Sequence, residues 1–424
     1  MNVTINPKRA LNGNREMVAP PSKAYTHRAL FAGLLSQGVT RVENPLLCND
    51  TEATVNSISA LGGIVEKEPG TWVVKSNGSP TSTAHGIYCG ESGVTLRFTI
   101  PIASLTGSRI RLEADESLMR RPIKPLSDAM SQLGVKVLAD SKGVTLNGER
   151  SKGGNVRISG DVSSQFISGL LLAAPMMEKG LRLELTSRLE SSTYVSLTLK
   201  AMKRHGVRVA MNDAQSLFDV QKQNYRSADH KVPGDYSSAA FVMCAAAITR
   251  SKLMVHGLLP ANSEPDSVIV EILSKMGVAA RFMTEGVLVE GGRLKGIEAD
   301  VRECPDLGPA IAVLGCFAEG ETRITGASRL RYKESDRLSS ITTELRTLGA
   351  EITETDDGLV VHGPRSLNSS VVKSHGDHRI AMALSVAAIG GKTPIVIEGA
   401  ECVNKSYPNF FNDLRELGVE VIDR

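Results

Sequence analysis

Apolar and polar positions recur in a fixed order along the chain. Six segments read as an amphipathic helix that ends on glycine and runs into an alternating strand: SISALGGIV, AMSQLGVKV, AMKRHGVRV, ILSKMGVAA, ELRTLGAEI and DLRELGVEV. Their glycines are Gly62, Gly134, Gly206, Gly277, Gly349 and Gly418, separated by 72, 72, 71, 72 and 69 residues. An apolar residue (Ile58, Met130, Met202, Leu273, Leu345, Leu414) stands four positions ahead of each glycine, one turn back on the same helix face. Glycine there suits the left-handed residue that closes a helix. The alternation after it suits a strand buried on one face. In EKEPGTWVVKSNG, LADSKGVTLNG, RFMTEGVLVEGG and TETDDGLVVHGP a turn and a second strand follow, which is a hairpin pattern.

A second helix recurs in register: THRALFAGLLSQG, VTLRFTIPIASLTG, QFISGLLLAAPMMEKG, AAFVMCAAAITRS, GPAIAVLGCFAEG and HRIAMALSVAAIGG. A helix apolar on nearly every side belongs in a domain interior. The repeat is therefore strand, helix, strand, hairpin strand and buried helix. A solenoid is one way to stack six such units. Solenoid repeats, however, run to about 20–50 residues, and these are longer. They read as subdomains, three to a domain, with the middle of the chain near KVPGDYSS (231–238).

Composition narrows the class. The 424 residues are 41% apolar but only 4% aromatic, so the cores are built from Ala, Val, Leu, Ile and Met. The 49 basic and 46 acidic side chains leave a net charge of +3, without the concentrated basic excess of a nucleic-acid or membrane-surface binder. Cys48, Cys89, Cys244, Cys304, Cys316 and Cys402 are scattered, as reduced thiols of a cytoplasmic protein are. The opening MNVTINPKRALNG lacks the apolar run of a secretory leader. Nothing reaches the roughly 18 apolar residues of a membrane span.

Candidate chemistry gathers where the apolar helices begin: Pro21, Ser22 and Lys23; Glu91, Ser92 and Gly93; Ser163, Ser164 and Gln165; Asp235, Tyr236, Ser237 and Ser238; Pro305 and Asp306; Gly376, Asp377, His378 and Arg379. A helix start offers unpaired N–H groups and partial positive charge, hence an anion site. Capping alone accounts for Ser and Asp there. It does not call for Lys23, Arg28, Arg97 and Arg379, cations that oppose the dipole and so point to an anionic ligand. A second set precedes the other helix series: Arg120 to Ile123, Arg331 to Arg337, and Asn404 to Pro408. If helical, Lys333 and Arg337 share a face. The charges together suit a small, multiply negative substrate that needs acid–base help. Gly391, Lys392 and Thr393 resemble a P-loop end, but Val386 stands where its first glycine belongs. His375 and His378 lack the partners of a metal site, and no GxSxG is present.

PPSKAYTHRAL, GESGVTLRF, RRPIKPL, SSQFISGLL, RYKESDRL and GDHRIAMAL, in this order over nearly the whole chain, resemble the signatures of the 5-enolpyruvylshikimate-3-phosphate synthase family. The resemblance implies an α/β fold: a two-domain inside-out α/β barrel with three βαβαββ-type units per domain. It implies one domain at 22–232, a second formed by 1–21 with 233–424, and an active site in the cleft between them. It implies transfer of the enolpyruvyl group of phosphoenolpyruvate to the 5-hydroxyl of shikimate 3-phosphate, with release of phosphate. The implied protein is a cytoplasmic monomer without metal, cofactor, nucleic-acid or membrane partner.

Residue by residue, the resemblance implies that Lys23 touches both substrates and Arg28 touches shikimate 3-phosphate. Ser163, Ser164, Gln165 and Ser191 hold that substrate, with Tyr194 at its ring and Gln165 also near phosphoenolpyruvate. Gly93, Arg121, Arg337, Arg379 and Lys405 bind phosphoenolpyruvate. Asp306 accepts the proton of the attacking hydroxyl with Lys333 beside it, both also contacting shikimate 3-phosphate, and Glu334 protonates the methylene carbon. Ala24, Glu91, Val94, Phe98 and Arg329 depart from the family pattern, which bears on affinity and inhibitor response. The sister enzymes acting on UDP-N-acetylglucosamine carry Cys five residues before the Arg-Pro, where this chain has Glu116. A non-catalytic scaffold that binds phosphorylated metabolites needs neither Asp306 nor Glu334.

Overall fold

The computed structural model describes residues 1–13, 15–84, 86–260, 264–368 and 370–423. They divide into two compact units, Met1–Pro20 with Pro233–Arg424, and Pro21–Val232.

One repeat illustrates all six. Strand Gly86–Tyr88 leads into helix Gly93–Ala103, strand Arg109–Glu113, helix Lys124–Gln132 and the hairpin Val137–Asp140 and Gly143–Asn147. Gly86–Tyr88 pairs parallel with Arg109–Glu113, which pairs antiparallel with Gly143–Asn147, which pairs antiparallel with Val137–Asp140. The order follows from chain chemistry: a helical crossover joins parallel strands, whereas a tight turn joins antiparallel ones. The glycine that follows the second helix is left-handed in every repeat, with φ of +88, +81, +81, +91, +97 and +85 at Gly62, Gly134, Gly206, Gly277, Gly349 and Gly418. The periodic signal thus marked six helix ends.

Three repeats borrow a strand. Asn2–Ile5 lies between Ile395–Glu398 and Val421–Asp423, pairing antiparallel with both. Glu16–Val18 pairs parallel with Lys252–His256. In the other unit, Tyr225–Arg226 and His230–Lys231 pair parallel with Ser36–Glu43. With these strands every repeat has the sheet order of the first.

The apolar helices are central, as their all-round hydrophobicity predicts. Tyr236–Ile248 is buried at all but its last residue, and it packs with Gly308–Phe317 and His378–Ile389 inside one core. Lys23–Leu35, Gly93–Ala103 and Ser164–Ala173 fill the core of the other unit. Helices inside and sheets outside make each unit an inside-out α/β barrel. The first central helix starts three residues earlier than its apolar pattern, at Lys23, because Ser22 Oγ accepts from Tyr25 N. It also ends earlier: Ser36, Gln37 and Gly38 already belong to strand Ser36–Glu43.

Candidate active site

The first polar residue of each central helix falls in register across the chain. Ser22, Ser92 and Ser163 cap three helices through their hydroxyls. Asp235 and Asp377 cap two through carboxylates that accept from Ser238 N at 3.0 Å and Arg379 N at 2.9 Å. Asp306 occupies the matching place in a 3-10 turn, Pro305–Leu307, ahead of Gly308–Phe317.

In the unit 21–232, Lys23 Nζ donates to Asp50 Oδ2 at 2.7 Å. Arg28 is almost fully buried. Its Nε donates to Thr198 Oγ1 at 2.7 Å, and Nη1 and Nη2 donate to the Ala24 and Tyr194 carbonyls at 2.8 and 2.9 Å. Arg97 Nη1 donates to Gln165 Oε1 at 2.7 Å. A β-carbon on Gly93 would stand 3.2 Å from Arg121 Nη1 and 3.4 Å from Gln165 Oε1, so Gly93, Arg121 and Gln165 converge. Ser163 caps the helix that Ser164 and Gln165 begin. Ser191, buried and left-handed at φ +53, precedes helix Ser192–Arg204, which carries Tyr194.

Two features of this unit refine the sequence reading. The helix-start cations already have protein acceptors, so opposition to the dipole is not by itself a mark of a ligand. His27, next to Arg28, was not singled out. Its Nδ1 contacts Thr54 Oγ1 at 2.7 Å, and burial above all lowers it to about 3, the nearby Lys23 and Arg28 charges adding to this against Asp50. It is neutral and adds no cation.

In the other unit the charges knit into one network. Asp306 Oδ1 accepts from Lys333 Nζ at 3.2 Å and Arg337 Nη1 at 2.8 Å, and its Oδ2 lies 3.8 Å from Arg379 Nη2. Arg337 is 1% exposed. Its Nε donates to Asp377 Oδ2 at 2.7 Å and its Nη2 to Glu334 Oε2 at 2.8 Å. Asp377 therefore caps a helix and aims Arg337 at once, a role no local pattern announces. Lys405 is buried at the end of the 3-10 turn Ala400–Lys405.

Burial alone would raise the Asp306 carboxyl, but Lys333, Arg337 and Arg379 outweigh it and hold the group well below the usual carboxylate range. Burial lowers the Lys333 ammonium, with Arg337 adding to the effect against Asp306 and Glu334. Burial thus eases proton loss from the lysine, and the Arg337 charge adds to it.

Lys333 and Arg337 do not share a helix face. Lys333 is extended (φ −95°, ψ −155°) after the 3-10 turn Ser328–Tyr332. The next helix begins only at Arg337, because Asp336 caps it by accepting from Ser339 N at 3.1 Å. The two cations meet on Asp306 instead. His375 Nε2 contacts Glu344 Oε1 at 2.7 Å. Among the described residues no group of three or more His, Cys, Asp or Glu could hold a metal ion, and no helix is long and apolar enough to cross a membrane.

Comparisons with known proteins agree in kind. The family model for EPSP synthase (3-phosphoshikimate 1-carboxyvinyltransferase) matches residues 5–414. A 3-phosphoshikimate 1-carboxyvinyltransferase of Methanocorpusculum labreanum is 41% identical over 407 residues, 95% of this chain and 96% of that protein. One of Clostridium kluyveri is 38% identical over 421 residues, 99% and 98%. A solved EPSP synthase of Acinetobacter baumannii matches with a TM-score of 0.83 at 26% identity, over 100% of both chains. The enolpyruvyl transferase NikO of Streptomyces tendae, at 18% identity, shares the fold with a TM-score of 0.80 over 99% of this chain and 98% of that one. With six helix starts in register, paired carboxylates under arginine control and relatives spanning its whole length, this chain belongs to the EPSP synthase (3-phosphoshikimate 1-carboxyvinyltransferase) family.

Proposed function

We propose that this chain joins phosphoenolpyruvate to the 5-hydroxyl of shikimate 3-phosphate and releases inorganic phosphate. The observation that carries the reading is Asp306 held as a carboxylate by Lys333, Arg337 and Arg379 while Glu334 rests on the same Arg337.

Phosphoenolpyruvate is a poor electrophile until C3 gains a proton and C2 gains cationic character. Glu334 gives that proton as a general acid. The 5-oxygen bonds to C2 while its proton passes to Asp306, with Lys333 beside it. In the tetrahedral adduct the C2–O bond to phosphate then breaks, phosphate leaves with the bonding pair, and C3 returns its proton to re-form the enol ether. Arg121, Arg337, Arg379 and Lys405, with Gly93 and Gln165, receive phosphoenolpyruvate. Guanidinium groups grip carboxylate and phosphate in bidentate fashion. Arg28, Ser163, Ser164, Gln165 and Ser191 receive shikimate 3-phosphate, and Lys23 reaches both substrates. No metal or organic cofactor enters these steps, and the balanced charge and the free thiols, five of six buried, suit a cytoplasmic monomer.

A phosphate-release assay tests the reading. Release is expected only with both substrates present, with strong losses in Lys23→Met and Glu334→Ala. Release with UDP-N-acetylglucosamine in place of shikimate 3-phosphate overturns it, and an unchanged rate in Glu334→Ala favours a binding scaffold.

A further inference from the structure

A fourth carboxyl, Asp266, adjoins the network of Asp306, Glu334 and Asp377 with no part in the steps above. It is 3% exposed. Its backbone is left-handed at φ +63, a conformation that a non-glycine residue keeps only where its surroundings impose it. It accepts a hydrogen bond from the Ser237 hydroxyl, in the first turn of helix Tyr236–Ile248. The carbonyl of that serine accepts from Arg379 Nη1 at 2.5 Å, and Arg379 Nη2 lies 3.8 Å from Asp306. Asp266 is thus two residues removed from Asp306, by way of Ser237 and Arg379. The charged groups acting on it are Asp306, Arg379 and Asp235, its charge acts in turn on the Cys304 thiol, and the buried Glu264 is two positions away in sequence. Burial first, and Asp306 second, raise the Asp266 carboxyl to about 7 against the pull of the Ser237 hydroxyl and Arg379.

We infer that Asp266 is a positioning residue, one that directs Arg379 through Ser237 and sets the base strength of Asp306 by its own charge. The inference rests on the reaction proposed above. Ringed by Lys333, Arg337 and Arg379, Asp306 is a weak base. A second carboxylate ionising nearby disfavours its negative charge, and so raises its affinity for the hydroxyl proton. Turnover therefore gains as Asp266 loses its proton, near pH 7.

The test compares the pH dependence of kcat in the wild-type chain and in Asp266→Asn, which keeps the shape and an acceptor for Ser237 but cannot ionise. The wild type is expected to bend upward near pH 7. Asp266→Asn is expected to lose that bend and to run about tenfold slower at alkaline pH. Ser237→Ala keeps the Asp266 charge and the backbone carbonyl. It should retain the bend and raise KM for phosphoenolpyruvate about threefold, the scale of one neutral hydrogen bond. A wild-type profile without the bend, or a bend that survives in Asp266→Asn, overturns the inference, as does an unchanged KM in Ser237→Ala.

Thermal unfolding supplies a readout that needs no turnover. The folded chain keeps the Asp266 proton up to about pH 7, whereas the unfolded chain releases it near about 3.9. Stability from this group is full below the unfolded value, falls as pH climbs between the two, and levels off above. Asp266→Asn is expected to lose this part of the fall in Tm. Identical pH dependence of Tm in both proteins overturns the inference even if the enzyme is active. A wild type that releases no phosphate rejects the proposed reaction instead.

Discussion

Three copies of one repeat build each unit, yet the two units begin their central helices with different chemistry. Residues 21–232 use Ser22, Ser92 and Ser163, neutral caps that leave the partial positive charge of the helix start uncompensated. The other unit uses Asp235, Asp306 and Asp377 at the matching places, and the negative charge so introduced draws in Lys333, Arg337 and Arg379. The first arrangement suits holding an anion that arrives with the substrate. The second holds its own anions and can exchange protons. One scaffold thus carries two kinds of helix start, hydroxyl in one unit and carboxylate in the other.

Four substitutions break or sharpen this contrast, the largest effect first. Asp306→Asn removes the base from the carboxylate-capped unit. In a two-substrate assay, phosphate release is expected to fall by about 10²–10⁴. Asp377→Ala removes a helix cap and one of the three carboxylates that hold the buried Arg337. It should cost about 3 kcal/mol of stability, the lower end of the range for breaking a buried ion pair from one side, read as a fall in the denaturation midpoint at constant m. Gly93→Ala pushes a methyl against Arg121 and Gln165. KM for phosphoenolpyruvate is expected to rise about tenfold, the value of a displaced charge-assisted contact, with kcat retained. Ser163→Ala should cost only about 1 kcal/mol, an ordinary cap. If Ser163→Ala destabilised as much as Asp377→Ala, the two kinds of cap would be equivalent and the contrast would fail.

The parts legible in the sequence were those written locally. A left-handed glycine after an apolar turn, and an alanine-rich helix without a polar face, each announce themselves within a dozen residues. Six repetitions turned weak signals into a fold. Lys333, Glu334, Arg337 and Asp306 stood out as charged residues beside helix starts. What stayed hidden was decided across the chain. Asn2–Ile5 reads as a strand only through its partners Ile395–Glu398, at the far end of the sequence. Asp377 looked like a cap, and its grip on Arg337 spans 40 residues. The shared face assumed for Lys333 and Arg337 failed because spacing alone does not reveal that Asp336 starts the helix after Lys333.

The borrowed strands set an order of assembly. A ribosome delivers all strands of the 21–232 unit before it has made most of the other, so that unit can close while synthesis continues. The first twenty residues meanwhile wait for partners: Glu16–Val18 until Lys252–His256 emerges, and Asn2–Ile5 until Ile395–Glu398 and Val421–Asp423 do. Strand Asn2–Ile5 is thus among the last segments to find its place, and a nascent chain stalled before Ile395 carries that strand unpaired.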